Sequence, residues 1–165
     1  MKDRLMLLAE MGLGSRLNRL SGQFMKEIQL TYDHYNIDFD PYLFPIFKVV
    51  IDEKVTTTSF IQEVLQYTQP AITHALKKLS DKGLIDSRED DLDKRKKLFF
   101  LTRTGKKAHK RMVPLWKEME EQVRQLTHFE SKSLSEHLTE VEGKLKKKPL
   151  SELIVENLQH QNITI

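Results

Sequence analysis

Residues 67–111 read YTQPAITHALKKLSDKGLIDSREDDLDKRKKLFFLTRTGKKAHKR, and the spacing of stops and apolar positions in this stretch leaves few ways to fold. Thr68 supplies the hydroxyl that a helix N-cap uses, Pro70 falls in the first turn where its missing N–H costs nothing, and Gly83 follows the last apolar position as a C-terminal stop. One helix over 68–82 is predicted. At ~100° per residue, Ile72, Ala75, Leu76 and Leu79 share one side of it, and Pro70, Thr73, His74 and Lys77 share the other. One face therefore goes to a core, and the opposite face presents small hydrogen-bonding groups and a cation. Residues 84–88 are short and β-capable, 89–96 are charged, and 97–101 are apolar and aromatic, which predicts a two-stranded hairpin with a charged tip. Thr102 offers a second N-cap, and Gly105 with Lys106, Lys107, Lys110 and Arg111 opens a further helix.

Charge is distributed unevenly along the chain. The 67–111 segment holds 13 Lys and Arg against 6 Asp and Glu, whereas the rest of the 165 residues hold 14 against 18, so a net charge of +3 conceals a basic module on an acidic remainder. Such a partition is the electrostatic footprint of a protein that meets phosphate with one surface. Cysteine is absent, which excludes disulfides, thiolate metal sites and thiol redox sensing. His34, His74, His109, His128, His137 and His160 show no metal-ligand spacing such as HExxH, so neither metal nor cofactor is expected. No Gly-rich phosphate loop, nucleophile elbow or framed carboxylate pair is present, and the reading is of a non-enzyme. No apolar run approaches the ~20 residues of a membrane span. The N-terminal MKDRLMLLAEM carries an acid and too short an apolar patch for a signal peptide, so a cytoplasmic location is expected.

With these residues in view, TQPAITHALKKLSDKGLI followed by DLDKRK and FFLTRTGK closely resembles the recognition helix and wing of the MarR family of winged helix-turn-helix transcriptional regulators. With flanking helices the resemblance covers about 130 residues, the wing being its most specific part. It implies a mainly α fold with a small β wing, a winged helix-turn-helix carrying N- and C-terminal dimerisation helices. The implied function is a dimeric, sequence-specific DNA-binding repressor or activator, with double-stranded DNA, a second copy of the chain and a small-molecule effector as partners. On this reading Thr68, Gln69, Pro70, Thr73, His74 and Lys77 face the major groove. Asp93 and Arg95 match the family's acid and arginine pair, in which the acid orients the arginine for the minor groove. Arg88, Lys94, Lys96 and Lys97 are long cations expected to track phosphate. Family effectors, often aromatic, bind between the dimer helices and the DNA-binding lobes, which makes Tyr32, Tyr35, Tyr42, Phe44, Phe47 and Trp116 candidate lining residues, although aromatics at helical spacing also build cores.

Two departures from the family pattern are visible: Gln62 stands where a small Ala is usual, and Gln66 where Gly is usual, both bearing on how the two helices of the motif pack. The segment IDFDPYLFPIF also resembles a MarR-like subgroup that carries an acetyltransferase domain downstream. A second reading from a different class therefore stands beside the first: a winged-helix protein-interaction module, or the N-terminal part of an acetyltransferase-containing protein.

The remaining pattern is helical. Residues 1–11 read as an amphipathic turn or two with Leu5 and Leu8 inward, weakened at Gly12 and Gly14, followed by an apolar stripe of Leu13, Leu17, Leu20, Phe24, Ile28, Tyr32 and Tyr35. Asp40 and Pro41 form an N-cap and N1 pair for a helix to about Ile51, Val55 starts a short strand, and Thr57 or Thr58 caps a helix through Leu65. After the hairpin, Ala108, Met112, Leu115, Met119, Val123 and Leu126 follow heptad-like spacing, with Pro114 as a kink. Thr127 and Glu130 are expected to form a capping box for a helix carrying Leu134, Leu138, Val141 and Leu145, and a short helix with Leu150, Leu153, Ile154 and Leu158 follows Pro149. Residues 162–165 alternate like a strand and stop abruptly, as a piece of a longer protein does. The expected organisation is a dimerisation helix over 1–35, a DNA-binding lobe over 36–105, C-terminal dimerisation helices over 106–160 and a tail over 161–165.

Overall fold

The computed structural model describes residues 3–161, so the strand expected at 162–165 lies outside the described residues, and it divides the chain into two compact units, Met1–Val113 and Pro114–Ile165. The first unit opens with α1 (Arg4–Leu7), a single turn whose N-cap Asp3 accepts the Leu5 N–H at 3.0 Å. A 3₁₀ turn over Ala9–Gly12 follows, and the helix resumes as α2 (Leu13–His34). The glycines thus mark a change of helix type. Leu5 is half-buried as expected, but Leu8 is exposed. Burial along the α2 stripe rises toward its end: Leu13, Leu17 and Leu20 are exposed, Phe24 and Ile28 half-buried, and Tyr32 fully enclosed. Tyr35, one residue past the helix, is exposed. Asn36 adopts a left-handed φ of 51° and lets the Ile37 N–H reach back to the Tyr32 carbonyl at 2.9 Å, which closes the helix.

The Asp40 carboxylate accepts the Tyr42 N–H at 3.0 Å, Pro41–Leu43 form a 3₁₀ turn, and α3 (Phe44–Glu53) continues from it, burying Ile46, Phe47 and Val50. Then come β1 (Val55–Thr56) and α4 (Thr58–Leu65), capped by Thr57, whose hydroxyl accepts the Phe60 N–H at 3.2 Å. α4 stops on Gln66, which is left-handed at φ 54° and costs about 1 kcal/mol there relative to an unstrained residue. Gln62 points to solvent. Because Ile61 on α4 and Ile72 on the next helix are both wholly buried, neither glutamine opens the packing between them.

That next helix, α5 (Gln69–Asp81), buries Ile72, Ala75, Leu76 and Leu79 as the periodicity requires. Thr68 sits at its N-cap with extended backbone, but its hydroxyl makes no capping bond. At the other end Gly83, at φ +65°, allows its own N–H to bond Ser80 O at 2.8 Å and the Leu84 N–H to bond Leu79 O at 3.0 Å, a Schellman stop. β2 (Ile85–Glu89) and β3 (Lys97–Leu101) form the hairpin, β2 beginning one residue later than the sequence pattern placed it. β1 adds to the other side of β3, giving an antiparallel sheet of order β1-β3-β2 with Val55 opposite Phe100 and Arg88 opposite Leu98.

α6 (Arg103–Thr127) starts at a tight junction, where a Cβ built on Gly105 would lie 1.9 Å from the Leu84 carbonyl oxygen. Pro114 lies inside this helix. In the second unit α6 ends and is followed by a small hairpin, β4 (His128–Phe129) and β5 (Lys132–Ser133), then α7 (Leu134–Lys147) and α8 (Leu150–His160). The expected Thr127–Glu130 capping box does not form. Thr127 is still helical and donates its hydroxyl to the Val123 carbonyl at 2.7 Å, while Glu130 turns the hairpin at φ 51°. The box forms instead from Ser133 and Glu136: the Ser133 hydroxyl accepts the Glu136 N–H at 3.2 Å, and the Glu136 carboxylate accepts the Ser133 N–H at 2.7 Å. No described residue of 114–161 is buried, whereas the first unit encloses Tyr32, Phe47, Ile61, Ile72, Leu79 and Met112 completely.

Two substitutions measure this packing. Leu76→Ala removes a buried side chain and is expected to cost about 2–5 kcal/mol. Gly105→Ala forces a methyl into a backbone carbonyl and is expected to cost ~3 kcal/mol or more, although alanine is the better helix former. Urea denaturation of each variant checks both values; a neutral Gly105→Ala overturns the close approach.

Candidate nucleic-acid interface

α5 is positioned by its buried face and by two ion pairs to the segment before α3: Lys78 Nζ lies 3.2 Å from Asp40 Oδ2, and Lys82 Nζ 2.6 Å from Asp38 Oδ1. These hold the helix from one side. On the opposite side Gln69, Pro70, Thr73, His74 and Lys77 are all exposed, so the structure brings together on one helix the residues that the sequence placed there. Lys77 Nζ pairs with Asp81 at 2.8 Å, one turn on along the same helix. That exposed pair is worth a few tenths of a kcal/mol, so it does not prevent the ammonium from turning to another anion. Thr68 is exposed at the helix start, with its hydroxyl unused by the cap.

The hairpin tip, by contrast, has a defined internal order. Asp90 N–H bonds Lys96 O at 3.0 Å and Lys96 N–H bonds Asp93 O at 2.8 Å, which closes the loop. The Asp90 carboxylate accepts the Leu92 N–H at 2.9 Å, and the Asp93 carboxylate accepts both the Arg95 N–H at 3.1 Å and its Nε–H at 3.2 Å. Asp93 is thus tied to the backbone and the guanidinium of one residue, with Lys96 Nζ at 3.8 Å from its second oxygen and Lys94 Nζ 3.8 Å from Asp91. The Arg95 side chain remains 92% exposed while that of Asp93 is 29% exposed, so the acid is folded inward and the guanidinium projects. The Arg95 backbone N–H, then its side chain, hold the Asp93 carboxyl below the usual carboxylate range. Arg88 is exposed on β2, and Lys97 opens β3 opposite Glu89.

The aromatic candidates separate. Tyr32 and Phe47 belong to the core, where Phe39 meets the Tyr32 ring edge-on at 5.6 Å and the Phe47 ring at 5.4 Å. Aromatics at helical spacing here pack the interior, so these two are not open to an effector. Tyr35 and Tyr42 are exposed, Phe44 is half-buried, and Trp116 is half-buried in the second unit. Tyr42 lines a groove of 330 Å³ with Met25, Gln29 and Leu30 of α2. Sequence reasoning passed over Leu92, which stands 97% exposed at the hairpin tip.

The family model for MarR matches residues 53–97, which run from the end of α3 through β1, α4, α5 and the hairpin to the first residue of β3. Over this stretch the chain is similar to the MarR family. No curated protein matches the chain. Solved structures do, over nearly their whole length. A mutant of E. coli MarR complexed with operator DNA aligns with a TM-score of 0.64 at 18% identity, covering 86% of this chain and 96% of that one. NMB1585, a MarR family regulator from Neisseria meningitidis, aligns at 0.62 and 24% identity over 94% and 99%. Bordetella bronchiseptica BpsR, whose DNA binding is regulated by 6-hydroxynicotinic acid, aligns at 0.60 and 19% identity over 81% and 91%. The likeness of fold, mostly helical with a small antiparallel sheet, therefore extends beyond the matched segment, with β2–β3 in the place of the wing. No helix among the described residues is long and apolar enough to cross a membrane.

The Asp93 clamp has a pH dependence of defined sign. Its carboxyl pKa in the folded wing lies below the unfolded value, so the stabilisation is complete above the ordinary carboxylate range and is lost as pH falls through the lowered folded value. The Arg95 amide and Nε resonances, followed by NMR, are expected to titrate together at a midpoint below that of an unstructured aspartate. Midpoints at or above it overturn the clamp.

Proposed function

We propose that the chain is a transcriptional regulator that binds double-stranded DNA sequence-specifically as a homodimer, with no catalytic activity of its own. The observation that carries this reading is the pairing, on one lobe, of an exposed helix face bearing Gln69, Thr73, His74 and Lys77 with a wing whose Arg95 is held outward by Asp93. A major groove admits a helix of this width, and Gln, Thr, His and Lys reach base edges or phosphates from it. An extended guanidinium suits a narrow, A·T-rich minor groove better than the more strongly hydrated lysine ammonium. Arg88, Lys94, Lys96 and Lys97 take phosphate contacts, which fix register without reading sequence. Thr68 and Pro70 lie at the helix start, where the backbone N–H groups attract phosphate.

The dimer rests on a separate observation. In the second unit Leu138, Val141, Leu145, Leu153 and Ile154 form apolar positions along α7 and α8 that no fold of their own covers, and in the first unit Leu13, Leu17 and Leu20 are likewise exposed on α2. Apolar surface on this scale marks an interaction surface, and a two-fold homodimer is the commonest way to close one. BpsR, regulated by 6-hydroxynicotinic acid, is a precedent within the fold for control by a small effector. Tyr35 and Tyr42 are the aromatic residues named from sequence that remain open to such a molecule in the first unit.

Selection of bound duplexes from a random pool, followed by affinity measurement across salt concentrations, tests DNA binding. A log–log slope of several units is expected, because each phosphate engaged contributes about 0.9. A flat slope favours a protein-interaction module. On the selected duplex, Thr73→Ala or Lys77→Ala is expected to cost about 1–3 kcal/mol of affinity with folding intact. Asp93→Ala is expected to weaken binding although it removes a negative charge; tighter binding shows that Asp93 only repels phosphate. A monodisperse monomer at micromolar concentration overturns the dimer.

A further inference from the structure

The tip of the hairpin is made of two successive turns, each pinned by an aspartate. In the first, the Asp90 carboxylate accepts the Leu92 N–H at 2.9 Å. In the second, the Lys96 N–H bonds Asp93 O at 2.8 Å, and the Asp93 carboxylate takes the N–H and the Nε–H of Arg95. Leu92 and Arg95 are the residues that these turns carry outward, and both stand almost wholly in solvent, Leu92 at 97% and the Arg95 side chain at 92%.

Leu92 differs from the other exposed apolar residues in its setting. Among the described residues it is the most exposed large apolar side chain. Met11, the next, lies in one apolar segment with the exposed Met6, Leu7 and Leu8, and the exposed leucines of α2, α7 and α8 belong to helical stripes. Leu92 stands alone, the sole apolar residue from 89 to 97, with Asp91 and Asp93 on either side and Lys94 to Lys97 following. A stripe is covered by another stripe, whereas one leucine held out on a charged turn matches a partner that is apolar at one point and charged around it. The minor groove of a duplex has that pattern: its walls are deoxyribose carbons and its rims are phosphates. The acids do not oppose the approach, since the Asp90 and Asp93 carboxylates are engaged by N–H groups and Asp91 lies 3.8 Å from Lys94 Nζ.

We propose that Leu92 is a specificity-determining contact of the hairpin with duplex DNA, its side chain packed on the deoxyribose walls of the minor groove beside the Arg95 guanidinium. The proposal rests on the DNA-binding reading and adds to it a residue that makes neither an ion pair nor a hydrogen bond with the duplex. The minor groove is about 6 Å wide in ordinary B-DNA and narrower in A-tracts. A leucine is enclosed more completely as the walls approach, so its burial and dispersion contacts favour the narrow groove. The tip thereby reads one groove twice, its width by an apolar side chain and its potential by a cationic one. These two readings respond differently to salt: contacts to phosphate weaken as salt rises, and an apolar contact does not release counterions.

The test uses the full chain and a duplex selected from a random pool, with affinity measured across salt concentrations. Leu92→Asn keeps the size of the side chain and removes its apolar surface. It is expected to lower affinity about four- to fifteenfold, the equivalent of one to two buried CH₂ groups, at unchanged Tm and unchanged salt slope. Leu92→Met is expected to stay within about threefold of the wild type, and Lys94→Gln to lower the slope by about 0.9. Hydroxyl radicals, which take hydrogen from deoxyribose carbons in the minor groove, read the contact itself: the wild type is expected to protect the nucleotides under the hairpin, and saturating Leu92→Asn to leave them open to cleavage. Wild-type affinity in Leu92→Asn overturns the contact. So does Leu92→Met as weak as Leu92→Asn, because the shape of the turn then matters and its apolar surface does not, or a changed slope in Leu92→Asn, because the cations have then moved. If Leu92→Asn alters the oligomeric state and leaves duplex affinity alone, the leucine serves a contact between copies and the proposal falls. A wild-type chain that binds no duplex sinks the DNA-binding reading and this contact together, a result distinct from a tightly bound duplex that is indifferent to Leu92.

Discussion

The first unit turns on the contact between the start of α6 and the segment that leads from α5 into β2. Thr102 donates its hydroxyl to the Gly83 carbonyl at 2.6 Å and its N–H to the Leu84 carbonyl at 3.1 Å, and the same hydroxyl accepts the Gly105 N–H at 2.9 Å. One threonine thereby caps a helix and ties off the end of another. The approach is close enough that only glycine fits at 105. Because Gly83 ends α5 and Leu84 leads into β2, this knot sets the angle between α5 and the hairpin, the two parts that the proposed DNA-binding mode needs in fixed relation. Arg111, two turns further along α6, donates to the Tyr35 carbonyl at 2.6 Å and so anchors the end of α2 to the same helix.

Electrostatics is organised by pairing rather than by total charge. The acids of the wing tip do not form a repulsive cap, because Asp90 and Asp93 are spent on backbone N–H groups and on Arg95, and Asp91 lies beside Lys94. The guanidinium of Arg95 is thereby pre-oriented at low entropic cost. On α5 the ion pairs of Lys78 and Lys82 lie on the side that docks to the 38–40 segment, which leaves Thr73 and His74 clear.

The two units differ in what keeps them folded. The first has a dense apolar interior built by α2 to α6 and the sheet, whereas the second relies on helix capping and exposed ion pairs such as those of Lys132 with Glu140 and Lys148 with Glu156. Pairs of this kind contribute little in water. The stability of α7 and α8 is therefore tied to whatever covers their apolar stripes.

Residue order alone determined a helix within 68–82 and its two faces, the hairpin and the cap at Asp40, and narrowed the cap of α4 to Thr57 or Thr58, because each depends on interactions spanning a few residues: a turn of helix, a left-handed glycine, a hydroxyl within reach of an N–H. The pairing of Asp93 with Arg95 was legible for the same reason. Where two local patterns competed, locality was insufficient. Thr127-x-x-Glu130 and Ser133-x-x-Glu136 carry the same capping signature, and the β4–β5 turn at Glu130 selected the second. Tyr32 and Phe47 could be read as core or as pocket until long-range packing enclosed them. The close approach at Gly105 belongs wholly to tertiary structure: the Leu84 carbonyl that excludes a side chain there is far away in the chain, and only the docking of α6 against the segment between α5 and β2 brings the two together.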